Sequence, residues 1–151
     1  MPVSNALIYK QISEEAYVKM VEASKAGRRP KDDGSEGFIL AFDPSHASFK
    51  QSMIVVVFTG MWLEAVLHQL IVSKHGEKTF KQYDFKPYRE KLTLLGVSDA
   101  VLLNDVDDFK ATRKELVHEK AYFDSGEIKT AQTEAELAHR IMERISGEFG
   151  C

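Results

Sequence analysis

The chain has 151 residues, 44% of them apolar and 28% charged. That is the balance of one globular domain with a real core, and it excludes a disordered or fibrous chain. The net charge of −3 excludes a broadly cationic nucleic-acid binder, so any contact with RNA must come from a local basic patch.

The N-terminal segment "MPVSNALIYKQ" lacks a basic stretch followed by an apolar core, so no signal peptide and a cytoplasmic location are expected. The only cysteine, Cys151, offers no internal disulfide and no thiolate zinc site. A first helix is predicted from near Ser13, with Glu14 and Glu15 in its first turn, where acids suit the helix dipole, and with Gly27 as its stop. Residues 27–37 read as a flexible, charged loop, and "GRRPK" within it as a solvated stretch in preference to an RNA contact. "FILAF" reads as a strand fragment or a tether onto the core.

"DPSHASF" opens a long helix, with Pro44 and Ser45 in its first turn. The helix continues to Gly76, about eight turns at 3.6 residues per turn, interrupted only by Gly60. Its stretch from Met53 to Val72 approaches the length of a membrane span. Glu64, His68 and Gln69 inside it, and the lack of flanking basic residues, point to a core helix instead. Gly60 is expensive inside a helix and is expected to permit a close helix crossing. Met61 and Trp62 read as core or interface residues. Met53, Val55, Val56, Val57 and Phe58 make this helix apolar on more sides than one small bundle covers, which points to a dimer.

A short helix follows Pro87 and closes at Gly96. The next helix carries the stripe Val106, Phe109, Leu116 and Val117. "DSGEIKTAQ" reads as a turn or small hairpin. Thr133 and Glu136 form a capping box for a last helix with Leu137, Ile141 and Ile145 on one face. The expectation is one all-α domain over 1–151, a four- to five-helix up-and-down bundle with a core at about 45–146.

No phosphate-binding Gly-rich loop, nucleophile elbow or metal-ligand cluster is present in the sequence, and no cofactor is expected. Glu64 and His68, at i and i+4, read as an ordinary local contact, since two ligands do not make a metal site. The chemistry concentrates in "FKATRKELVHEK". Arg113 brings a planar fork for phosphate, and His118 titrates near neutral pH. The two lie about 140° apart around an ideal helix, so one helix does not close the pair on itself. Lys110, Lys114 and Lys120 make the stretch locally basic, interleaved with acids. Glu64 either orients Arg113 or His118, or forms a structural ion pair or holds an edge position facing water; the structural role is favoured.

"TRKELVHEKAYF", late in an all-α chain, resembles the Arg-x4-His signature of the HEPN superfamily. The apolar central helix with an internal acid, "FTGMWLEAVLHQLIV", and the helix order also look like that family. The resemblance implies a helical homodimer that cuts RNA without metal. Its catalytic residues would be Arg113 and His118, at a site composed from two subunits, with Lys110, Lys114, Lys120 and Glu64 as accessory or RNA-binding residues. It also implies a toxin or defence role beside an antitoxin or nucleotidyltransferase partner. Lys114 departs from the polar residue that often follows the Arg, and Lys120 stands where such toxins often carry Tyr. The alternative is therefore a catalytically inactive HEPN-like binding or scaffold module.

Overall fold

The computed structural model describes residues 4–40, 45–116 and 125–151, with side chains omitted for Leu40 and for residues 125–129. Among the described residues the chain is all-α apart from one small hairpin. It has six helices: α1 (Asn5–Ala26), α2 (Ala47–His75), α3 (Glu77–Tyr83), α4 (Tyr88–Leu94), α5 (Ala100–Leu116) and α6 (Ser125–Phe149).

The first helix begins two turns before the expected Ser13. Ser4 caps it, its hydroxyl accepting from the Ala6 N–H at 3.2 Å, which satisfies one of the free donors at a helix start. Ser13 does something else. Its Oγ lies 2.8 Å from the Thr59 hydroxyl, buried between α1 and α2. Ala6, Ser13, Ala16 and Met20 form the buried stripe of α1, and the small side chains of the first three let it lie close along the central helix. Gly27 is the C-cap, as expected. The core thus reaches well N-terminal of residue 45.

Within residues 27–37, Arg28–Pro30 (β1) pairs antiparallel with Phe38–Leu40 (β2), Arg29 opposite Ile39. The segment read as a loop is the first arm and turn of a hairpin, and "FILAF" does supply a strand. Arg29 bonds Asp32 at 3.1 Å on its exposed face.

The central helix α2 is as long as expected and ends at Gly76, whose φ of 86° lies in the left-handed region that glycine adopts without strain. Its start differs slightly. Pro44 is outside the described residues, and His46 is the N-cap residue, with a left-handed φ of 53°. By length and composition α2 is able to cross a membrane, but α1, α4, α5 and α6 pack around it here. Val55, Val56, Trp62, Leu63, Val66, Leu67 and Ile71 are buried, whereas Met53, Ile54, Val57, Phe58 and Met61 are only half-buried.

α3 is an additional short helix that the sequence reading passed over. Tyr88, Lys91 and Leu92 are the buried residues of α4, which closes before Gly96 as expected. α5 buries Leu102, Leu103, Val106 and Phe109; Leu116 is half-buried and Val117 lies outside the described residues.

The last helix begins at Ser125, not at Thr133. "SGEIKTAQ" is helical, and Thr133 is an exposed residue inside α6 rather than a cap. The reason is visible in the packing: Ala131, Ala135, Ala138, Ile141, Met142 and Ile145 form one continuous buried stripe. That stripe extends the helix through the capping-box pattern, so tertiary burial overrides a local stop-and-start signal.

Candidate functional site

Arg113 lies in the last turn of α5, half-buried, with its side chain laid across Gly60 of α2. A Cβ placed on Gly60 would come within 2.5 Å of Arg113 Nε and 2.6 Å of its Cζ. The close approach expected at Gly60 is therefore real, but what approaches is a guanidinium and not a helix backbone. Nε of Arg113 is buried there without a hydrogen-bond partner. A buried N–H with no acceptor is costly, so the packing must hold it in place.

Next to this pair stands Glu64, one turn along α2 from Gly60. It is exposed, and its Oε1 accepts a 3.0 Å hydrogen bond from the Tyr88 hydroxyl of α4. Burial pushes the Tyr88 phenol well above its ordinary range, and the Glu64 carboxylate adds to the rise, while Arg113 opposes it. Tyr88 is accordingly a fixed O–H donor at neutral pH. Lys110, one turn before Arg113 on α5, places its ammonium 5.7 Å from the centre of the Tyr88 ring.

Lys91 completes the group from α4. It is only 7% exposed and donates to the Asp84 carbonyl at 2.8 Å. Burial lowers its pKa, with Asp84 and Glu64 acting in the opposite sense. Three helices thus bring Glu64, Tyr88, Lys91, Lys110 and Arg113 into one electrostatic cluster.

Of the residues singled out in the sequence, Arg113, Lys110 and Glu64 are brought together. Lys114 is exposed in the same last turn of α5. His118 and Lys120 lie outside the described residues, so the second member of the catalytic pair has no described position. Glu64 is engaged by Tyr88 rather than by His68, whose ring packs on Phe80 with centroids 4.1 Å apart. Among the described residues no three His, Cys, Asp or Glu side chains gather as a metal site.

The sequence reading missed Tyr88 and Lys91. Their signal was "KPYREK": a proline-started helix with a tyrosine and, three residues on, a lysine on the same face. Nothing in that string says that the short helix lies over Glu64.

Gly60→Ala separates positioning from packing. Alanine is favoured over glycine by about 1 kcal/mol inside a helix, and the clash falls on a movable side chain rather than on backbone. The melting temperature should change little, while Arg113 is pushed out of its seat. Any function that needs Arg113 at this position is expected to fall at least about tenfold, the equivalent of one misplaced charge-assisted contact. Parallel thermal melts and functional assays check this.

No family model matches the chain, and no curated protein or solved structure matches it.

Proposed function

We propose that this protein is a metal-independent endoribonuclease of HEPN type, acting in the cytoplasm as a homodimer on single-stranded RNA. The observation that carries the reading is the seat of Arg113: a guanidinium held on Gly60, beside the Tyr88–Glu64 hydrogen bond and one turn from Lys110. Such a group is suited to a phosphate whose charge increases during reaction. In the proposed step a base takes the proton of a ribose 2′-OH, and that oxygen attacks the adjacent phosphorus. The bond to the 5′-oxygen breaks, and an acid returns a proton to the leaving oxygen. His118 serves as base or as acid, and Arg113 stabilises the pentacovalent phosphate. The products carry 2′,3′-cyclic phosphate and 5′-hydroxyl ends. Lys110, Lys114 and Lys120 supply charge along the strand.

RNA cleavage in excess EDTA is the test. Wild-type protein should cut, and Arg113→Ala and His118→Ala should each lose about 100-fold or more, the usual worth of a general acid–base or oxyanion-stabilising group. Loss of cleavage on adding EDTA, or cleavage unchanged from wild type in both variants, would falsify the reading.

The dimer is proposed on two grounds. Ile54, Val57, Phe58 and Met61 form a half-buried apolar stripe on α2 that runs toward Gly60 and Glu64, next to Arg113. The roughly 140° between Arg113 and His118 also favours completion of the site by a second copy. Light scattering at low micromolar concentration should give twice the mass of the chain, and a monomer there removes the composite site.

A second reading, a catalytically inactive HEPN-like module that binds a nucleotidyltransferase, antitoxin or other nuclease, draws support from the buried, unpartnered Nε of Arg113. An arginine used mainly as a packing anchor would look the same. That reading expects no cleavage by wild type, and a lower melting temperature for Arg113→Ala as its only effect.

A further inference from the structure

A second polar feature lies between α5 and α6. Glu134 is 4% exposed, and its Oε1 is buried with no hydrogen-bond partner. It lines a cleft of about 300 Å³ together with Thr112 of α5 and Thr130 and Thr133 of α6. That volume matches the small end of ligand pockets. Thr112 is its hydroxyl neighbour, and the charge that acts on it among the described residues is the carboxylate of Asp108, one turn before Thr112. On α6 the residues one turn either side on its face are Thr130, Ala131, Leu137 and Ala138, all uncharged. α2 meets this part of α6 through Ser48, which accepts from Gln132, again without a charge.

We propose that this cleft binds a small organic cation carrying N–H donors, an alkylammonium or guanidinium group, on the Glu134 carboxylate. Chemistry selects the class. The free lone pairs of Oε1 require a donor. When ionised, the Glu134 carboxylate makes the cleft negative, and the charge of nearby Asp108 adds to it, which favours a cation and disfavours a phosphate or nucleotide. The Thr112 hydroxyl, which donates to the carboxyl, keeps lone pairs to accept a further N–H of the cation. The site is separate from the Arg113 cluster and does not depend on the RNase reading.

Burial also pushes the Glu134 carboxyl up to about 7, against the Thr112 hydrogen bond, with Asp108 adding to the rise. Below that pH the group is largely protonated, so seating an ammonium ion must release its proton: carboxylic acid plus cation gives the carboxylate–cation pair and one proton to buffer.

The experiment titrates the whole protein with ethylammonium and, separately, guanidinium, up to about 10 mM, the weak-binding range. Calorimetry at about pH 6 in two buffers of different ionisation enthalpy reads the proton count. Expected are saturable binding of at least one probe, release of up to one proton, and a tenfold or greater loss in Glu134→Gln. Asp108→Asn, at an exposed position, should weaken binding several-fold and covers the case in which the first variant misfolds. Tetramethylammonium, a cation without N–H groups, should bind at least tenfold more weakly. Absence of binding by both probes, equal affinity in Glu134→Gln, unchanged affinity in Asp108→Asn, or equal binding of tetramethylammonium overturns the proposal.

Discussion

Trp62→Ala is expected to destabilise the protein by about 3–5 kcal/mol, the range for removing a large buried aromatic. Trp62 is 1% exposed and sits at the middle of α2, the helix that α1, α4, α5 and α6 all touch. Truncating it opens a cavity in the buried cluster around α2, which the close-packed core refills only in part. A domain of this size has a total stability of roughly 5–15 kcal/mol, so the variant loses a large share of it. The melting temperature should drop by about 10 °C or more. Trp62 is the only tryptophan, so circular dichroism must report the unfolding of the variant. A drop of only a degree or two would mean that α2 is not the centre of the core.

Glu134→Gln is expected to act in the opposite direction, and only above acid pH. The Glu134 carboxyl is pushed up to about 7 in the folded chain by burial, whereas in the unfolded chain it ionises near its ordinary value of 4.5. Between those values the folded state holds the proton that the unfolded state has released. Stability from this group is therefore fully present at low pH and is lost as pH rises from about 4.5 to about 7. Glutamine does not titrate, so the variant escapes that loss. At pH about 8 it should gain on the order of 1–3 kcal/mol over the wild type relative to the difference at pH about 4. Chemical denaturation at the two pH values checks this. An advantage equal at both values would show that the Glu134 carboxyl titrates alike in the folded and unfolded chains.

Helix positions were largely legible because they follow from burial at 3.6-residue spacing. The largely apolar run from Met53 to Val72, with no proline in it, announced α2, and Gly76 marked its end. Pro87 and Gly96 bracketed α4. The two misplaced starts share one cause. Ser13 and Thr133 are good cap residues, and in the sequence each resembles a helix boundary. Ser13 instead spends its hydroxyl on Thr59 across the α1–α2 contact. Thr133 is an exposed residue of a helix whose alanine-lined face docks on the rest of the bundle. A cap contributes only about 1 kcal/mol, so a packing contact such as Ser13 with Thr59, or the buried face of α6, overrides it.

The candidate site was only half legible. Arg113, Lys110 and Glu64 stood out by residue type, and Gly60 by its cost within a helix. What they do together depends on partners remote in the chain: the Arg113 guanidinium on Gly60, and the Glu64 carboxylate under Tyr88. Glu134 drew no notice beside Glu136, because one acid among several on an amphipathic helix has no mark of burial.

By itself, then, the sequence determined the helical class of the protein, the extent of its central helix and the chemical types available for function. Each depends on local periodicity and on which side chains exist. Tertiary structure alone decided that Tyr88 and Lys91 join Glu64 and Arg113, and that Glu134 is buried on a cleft with its Oε1 unpaired. Burial and electrostatic environment arise from the packing of segments distant in sequence. A carboxylate has no raised pKa, and a guanidinium no seat, until another helix excludes water from it.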